Sequence, residues 1–456
     1  MTNQVLESRN PHDDSLLARY PLHDDAQVEA ILQQVQGGQR DWGCRSLHAR
    51  MALLPAIGAA LRASADTHAQ LITREMGKPI RQARAEIAKC ALLCDFYAEN
   101  AQRFLGDQVV ATEAARAAVV FRPLGMVLAI MPWNFPYWQA FRFVIPALVA
   151  GNTVVLKHAA NVTGCALAME KLLHECLPPE LFRTLLLRSD RMAALISDER
   201  IAAVTFTGST AAGRKVGAAA GGALKKAVLE LGGSDPYIVL DDADVALAAR
   251  VCAAARLTNS GQSCVAAKRF IVTDKVHDRF VQAFATELQR YVLGNPLEET
   301  TDVGPLARAD LAEELAQQVD RTVAEGAQLL LGGKRGGGAW YPPTLLVGVE
   351  PGMTAAREEL FGPVAPVLRV RDSDHAIAVA NDCDFGLGGA IFSADTTRAW
   401  QLASDAVETG AIAINQQLVS DPRLPFGGIK QSGYGRELGE FGIREFVNIK
   451  TVIQAP

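Results

Sequence analysis

The chain has 456 residues, of which 49% are hydrophobic and 21% charged, with a formal net charge of -5. That balance describes a globular protein able to bury a large core in two or three domains. It gives no reason to expect a nucleic acid or an anionic membrane as partner.

The polar, acidic start (1–14) reads as neither a signal nor a transit peptide. Residues 25–105 read as mostly helical. Asp24 and Asp25 stand where they can cap a helix running to about Gln36. Further amphipathic runs occupy 47–64, 67–76 and 81–104, broken by Gly77-Lys78-Pro79. Within the last run, Cys90 and Cys94 share a helix face and read as core. The eight cysteines are dispersed and form no metal-ligand framework. Nothing requires disulfides, so a reducing cytoplasm is the expected compartment.

At 109–120 the pattern changes to short β-prone pieces, read as an exposed surface hairpin or an arm that pairs with another subunit. After Arg122 strands and helices alternate. Strands are expected at 127–130, 153–156, 184–187, 202–206 and 228–231. Helices are expected at 136–150, 162–176, 192–198 and 211–220. This order predicts a parallel, doubly wound sheet. The apolar run 143–156 is interrupted by Pro146, Gly151 and Asn152, too broken for a membrane span.

A second α/β series starts near Gly232. Strands are expected at 237–240, 269–272 and 411–415, with helices at 244–257, 277–291, 308–325, 376–382 and 396–407. The Gly-rich stretch 332–338 reads as a loop tip and 446–453 as a final strand.

Several stretches suit chemistry. Asn259-Ser-Gly-Gln-Ser-Cys264 puts a thiol after a tight polar loop at the end of a small-residue helix, a setting for a nucleophile, although a small buried core cysteine explains the same residue. Thr205-Phe-Thr-Gly208-Ser209-Thr210 is strand, Gly turn and helix start, where free amides favour a phosphate. A plain capped turn explains the same residues. Lys157 ends a neighbouring strand and can reach a ribose or phosphate, or simply be a solvated lysine at a strand end. In Met131-Pro-Trp133-Asn134-Phe-Pro136, rigid neighbours hold an amide that could stabilise an oxyanion, or could cap the next helix. Leu229-Glu230-Leu231-Gly232-Gly233 puts a carboxylate in an apolar strand end, where it is either held in a structural ion pair or raised in pKa toward the range of a general base.

The motifs WNFP (133–136), FTGS (206–209), ELGG (230–233), GQSC (261–264), EELFGPV (358–364) and PFGG (425–428) occur in this order, and nearly the whole chain resembles the aldehyde dehydrogenase superfamily. The resemblance implies an α/β fold with a Rossmann-type NAD(P)-binding domain (1–106 and 124–231), an α/β catalytic domain (232–445) and a small β oligomerisation arm (107–123 and 446–456). It implies a Cys264 nucleophile, Glu230 as base for water and Asn134 as oxyanion donor. Trp133, Lys157, Gly208, Ser209, Leu231, Gly232, Glu359 and Phe361 fall at its cofactor positions. Glu437 falls at an acid that could relay protons.

Within that superfamily the chain is most similar to bacterial succinate-semialdehyde dehydrogenases. Arg142 falls where relatives place an arginine for the distal carboxylate of the substrate, which a guanidinium can grip bidentately. Trp138, Thr258, Ser263 and Ser420 are expected around it. Thr258 occupies the position of a second substrate arginine in some members, and Arg256 lies two residues away. Ala160 replaces a glutamate that takes the ribose hydroxyls in NAD-specific relatives, which leaves NAD and NADP both open. A homodimer or homotetramer is implied. Another semialdehyde (glutarate semialdehyde) or an aliphatic aldehyde is the alternative substrate. A cofactor-independent Cys hydrolase or thioesterase is the alternative class.

Overall fold

The computed structural model describes residues 5–455; residues 1–4 of the polar start and residue 456 of the C-terminal segment lie outside the described residues. Two sheets organise the described residues. The first has six strands in the order Gly433–Tyr434, Lys226–Glu230, Ile201–Thr207, Met126–Met131, Thr153–His158 and Phe182–Thr184. Five run parallel, and Gly433–Tyr434 adds an antiparallel edge. Met126–Met131 is buried throughout, as the centre of a sheet with helices on both faces must be.

The second sheet has seven strands, in the order Gln328–Leu331, Thr344–Val347, Val364–Val370, Ala267–Thr273, Asp235–Val239, Ala390–Phe392 and Ala413–Ile414. Only Gln328–Leu331 pairs antiparallel. A three-stranded sheet stands apart. Val447–Gln454 runs antiparallel along the whole of Arg116–Pro123, and Gln108–Val109 lines the other edge.

The structure departs from the periodicity in instructive places. The first helix continues from Asp25 to Cys44 rather than ending near Gln36. Its Gly37-Gly38 pair does not stop it, because a Cβ on Gly38 would stand 2.5 Å from Glu180 Cγ and the bare backbone is what permits that packing. The run 47–64 divides into Leu47–Met51 and Leu54–Ala63, the second starting with Pro55 in its first turn. The strand expected at 184–187 lies at Phe182–Thr184. Strands Thr344–Val347, Val364–Val370 and Ala390–Phe392, and the hairpin Val5–Arg9 with Leu16–Pro21, had no counterpart in the sequence reading. The 109–120 region forms a hairpin, but not a wholly exposed one: Ala117, Ala118 and Val120 are buried. No helix among the described residues is long and apolar enough to cross a membrane.

Candidate active site

The carboxyl ends of three adjacent strands of the first sheet open on one crevice. Met126–Met131 leads to Trp133 and Asn134, Ile201–Thr207 to Gly208 and Ser209, and Lys226–Glu230 to Leu231 and Gly232. Strands added after Met126–Met131 extend the sheet to one side, and Ile201–Thr207 then starts the other. Such a reversal leaves a cleft with no crossover helix above it, which is where open α/β sheets take ligands. A cavity of about 650 Å³ lies there, lined by Trp133, Gly208, Ser209, Gly232, Glu359 and Phe361 among others. Ser209 caps the helix Thr210–Gly222, its Oγ accepting from Ala212 N.

Cys264 approaches this crevice from the amino end of the second sheet. The helix Val245–Leu257 ends at Thr258, and Asn259, Ser260 and Gly261 then take left-handed conformations at φ 54°, 54° and 78°. Two non-glycine residues there cost on the order of 1 kcal/mol each, so their contacts must hold the turn. Asn259 N donates to Gln82 Oε1 at 2.7 Å, and its Nδ2 donates to Asn134 O at 2.7 Å and Gln262 O at 3.0 Å. Ser260 Oγ donates to Gly304 O and accepts from Gly304 N, both at 3.0 Å. Gly261 lies against the backbone of Gly362, with no room for a Cβ. Gly261→Ala is therefore expected to destabilise the protein by at least about 2 kcal/mol, read as a lowered midpoint in chemical denaturation; an unchanged midpoint would show that this turn is not under constraint.

Asn134 faces the thiol loop. Its Nδ2 donates to Gln262 O at 3.0 Å, and its side chain lines the large cavity. It does not cap the following helix. Tyr137 N and Trp138 N instead donate to Glu86 Oε1 at 2.8 and 2.9 Å, and Glu86 is paired in turn with the buried Lys78. With one N–H on Gln262 O, the second N–H of the Asn134 amide is left for the site.

Sequence reading missed Lys268. Its Nζ donates to Ser263 O at 2.9 Å and Cys264 O at 2.6 Å, and pairs with Glu359 Oε1 at 3.1 Å. That carboxylate oxygen also accepts from Gly233 N at 3.1 Å. Gly233 passes so close beneath the thiol loop that a Cβ would stand 2.8 Å from Cys264 O. One lysine therefore ties the thiol loop to the link between the two sheets. No local motif marks it.

Three buried charged groups stand together. Glu230 is 2% exposed, Glu437 4% and Arg142 2%. Arg142 Nε is ion-paired with Glu437 Oε2, and its guanidinium lies over the Phe426 ring at 4.8 Å. Phe426 and Glu437 exchange backbone hydrogen bonds of 2.7 Å, which bring the acid into place. Burial, then the charge of Glu437, pushes Glu230 well above the usual carboxylate range, against the pull of Arg142 and Arg436. Burial also raises Glu437, with Arg142 opposing it. The Cys264 thiol is pushed up to about 11 by burial; Arg142 and Lys268 favour its thiolate, while Glu230 and Glu359 oppose it.

A second cavity, of about 440 Å³, lies on the other side of the thiol. Trp138, Arg142, Thr258, Ser263 and Ser420 all line it, as does Cys264. Cys264 and Gln139 line both cavities. Thr258 Oγ1 donates to Ala254 O at 2.8 Å and accepts from Gln417 Nε2 at 3.3 Å. Arg256 points away from this space, fully buried, with Nη2 donating to Gly261 O at 2.6 Å. Lys157 lines neither cavity; it stays half-buried at the end of Thr153–His158, one strand beyond the crevice, and burial lowers its pKa. Lys89, in the thiol-side cavity, and Arg308, in the larger one 5.9 Å from the Trp133 ring, are cations that sequence reading did not single out.

The sequence profile of the aldehyde dehydrogenase family matches residues 1–452. The chain is 48% identical over 448 residues to the succinate semialdehyde dehydrogenase (NAD(P)+) of Escherichia coli strain K12, covering 98% of this chain and 97% of that relative. It is 46% identical over 446 residues to a probable succinate-semialdehyde dehydrogenase (NADP+) of Synechocystis, covering 97% and 98%. The crystal structure of the succinic semialdehyde dehydrogenase from Streptococcus pyogenes, in complex with NADP+ as the cofactor, superposes with a TM-score of 0.96 at 35% identity, over 99% of this chain and 100% of that one. With its fold, its thiol loop and this likeness along the whole described chain, the protein belongs to the aldehyde dehydrogenase family.

Proposed function

We propose that this protein oxidises succinate semialdehyde to succinate with NAD+ or NADP+. The observation that carries the reading is the position of Cys264 between two cavities, one shaped by strand ends and a helix start, the other lined by cations and an indole. The named activities of the relatives point the same way.

The larger cavity fits a dinucleotide. Thr207 Oγ1 is buried there without a partner, and a Cβ at Gly232 would stand 2.5 Å from Glu359 Oε2, so a bare backbone passes close to a carboxylate able to take ribose hydroxyls. The first amides of Thr210–Gly222 suit a phosphate. Trp133 and Phe361, edge to face at 5.7 Å, frame the other end. Lys157 joins this set only through a long reach from its neighbouring strand. Ala160 is exposed and brings no carboxylate against a 2′-phosphate.

NAD(P)+ bound in that cavity supplies the hydride acceptor. The protein's own groups do the rest. Cys264 thiolate adds to the aldehyde carbon, and the carbonyl π electrons move to oxygen. Asn134 Nδ2 and the Cys264 N–H hold that oxyanion. Loss of hydride from the same carbon leaves a thioester on Cys264. Glu230 takes a proton from water as the water adds to the thioester carbon. The C–S bond then breaks, releasing the acid and the thiolate.

Purified protein offered a panel of aldehydes is expected to reduce NAD(P)+ most efficiently with succinate semialdehyde, followed by absorbance of the reduced cofactor. Preference for a neutral aldehyde would sink the substrate assignment. Thioester hydrolysis with no reduction would favour the hydrolase alternative.

Burial first, and the charge of Glu437 second, shape the pH range of the hydrolytic step. Glu230 must be ionised to accept a proton, so its raised pKa makes hydrolysis fall as pH drops through that value. Glu437→Gln removes the neighbouring negative charge and lowers the pKa of Glu230. The acidic limb of the rate of acyl-enzyme hydrolysis is expected to move to lower pH; a limb that stays put or moves up would remove Glu437 from this role.

We assign cofactor binding to 1–106 and 124–231, catalysis to 232–445, and assembly into a dimer or tetramer to 107–123 with 446–456, in the cytoplasm. Exposed Ile449, Val452 and Ile453 on the terminal strand support assembly there. Gel filtration of a chain lacking that strand tests it.

A further inference from the structure

The thiol-side cavity holds a cation that the sequence motifs do not touch. Lys89 sits on the helix Ile80–Leu105, and its Nζ donates to Ser420 Oγ at 2.7 Å. The same Nζ lies 4.2 Å from the centre of the Trp138 ring. Trp138 Nε1 donates to the same Ser420 Oγ at 3.1 Å. A hydroxyl oxygen has two lone pairs. With two donors on it, the Ser420 hydroxyl is left to act as a donor itself. Lys89 has two further N–H groups. The cluster therefore presents donors only, on a base of indole, inside a largely apolar space.

The acids lining the cavity are engaged elsewhere: Glu86 with Lys78, and Asp302 with Arg81 at 2.6 Å. Arg142 lines the cavity too, but its charge is offset by Glu437. Asp421, next to Ser420, pairs with Arg423 at 2.6 Å. Among the described residues Lys89 has no carboxylate within ion-pair distance. The cavity is thus one negative charge short. Arg142 Nη2 is buried without a hydrogen-bond partner on the same cavity, so a donor waits there as well.

We propose that Lys89, with the Ser420 hydroxyl it and Trp138 orient, is a specificity-determining anchor for the remote carboxylate of the substrate, acting together with Arg142. This rests on the reading of the protein as a semialdehyde dehydrogenase and deepens it. Lys89 supplies the second cation that Thr258 does not, from a helix 169 residues earlier in the chain. The class of ligand is a short chain with an aldehyde at one end and a carboxylate at the other. Burial and the nearby Arg142 bring the Lys89 pKa down to about 8, as expected of an ammonium that lacks a counter-ion and would gain one from substrate.

The test compares Lys89→Met and Lys89→Arg with the unaltered enzyme. The ratio of kcat/KM for succinate semialdehyde to that for butanal, a neutral aldehyde of equal length, is expected to fall about thirtyfold or more in Lys89→Met, mainly through KM, a loss of the size charge-assisted hydrogen bonds bring. Lys89→Arg restores most of that ratio. Equal losses on the two substrates, or no loss, overturn the proposal. Calorimetric titration with succinate separates this from the activity assignment, because it needs no turnover. If the enzyme fails on succinate semialdehyde but binds succinate at least tenfold more tightly than Lys89→Met does, the activity assignment falls and the anchor stands. Equal binding by the two proteins, or none by either, sinks the anchor.

Discussion

Cys264→Ala is expected to abolish aldehyde-dependent reduction of NAD(P)+, lowering kcat on the order of 10⁴-fold or more. Cys264 is the one nucleophilic side chain that lines both cavities, and no neighbouring group can replace its bond to the aldehyde carbon. The substitution removes one sulfur from a partly buried site, so the fold should persist. Circular dichroism and gel filtration would show it unchanged, and a titration of NADP+ by fluorescence would retain its affinity. Residual turnover within tenfold of the unaltered enzyme would rule out the covalent route.

The second large effect separates the two halves of the reaction. Glu230→Gln keeps the shape of the carboxyl group and removes its ability to take a proton. Thioester formation does not need that proton transfer; hydrolysis does. Rapid mixing is expected to show a burst of about one equivalent of reduced cofactor per subunit, followed by turnover slowed roughly 10²- to 10⁴-fold. Mass spectrometry would find the acyl group on Cys264. The burial of Glu230 makes this a clean experiment, because an amide is easier to bury than a carboxylate and the variant should not lose stability. A variant that shows no burst, with both phases slowed alike, would place Glu230 in the first half-reaction instead.

What could be read from the sequence follows a physical rule. Cys264, Asn134 and Glu230 sit on strand ends and tight loops, where glycines, prolines and aromatics mark the backbone that must be held, so their stretches announced themselves. The doubly wound sheet was legible for the same reason: buried parallel strands are short apolar runs between amphipathic helices. Val364–Val370 is also a short apolar run, but Pro366 within it argues against a central strand, and its place came from pairing with strands elsewhere in the chain. The first helix was expected to end near Gln36, and its true end at Cys44 was hidden because the residue that Gly38 packs against, Glu180, is distant in sequence. Lys89 and Lys268 were silent, and so was the pairing of Arg142 with Glu437, because a cation on a helix or strand gains meaning only from the partner it meets. For Lys89 that partner is 331 residues along the chain.

The wall between the two cavities is thin: Cys264 and Gln139 are the residues they share. In the proposed enzyme this gives one sulfur two separate doors. Aldehyde and acid come and go on the Lys89 side, while the dinucleotide uses the strand-end side. Neither has to leave for the other to pass. The order of traffic is then governed by relative affinity and not by obstruction, and a dinucleotide can stay seated while the acid departs.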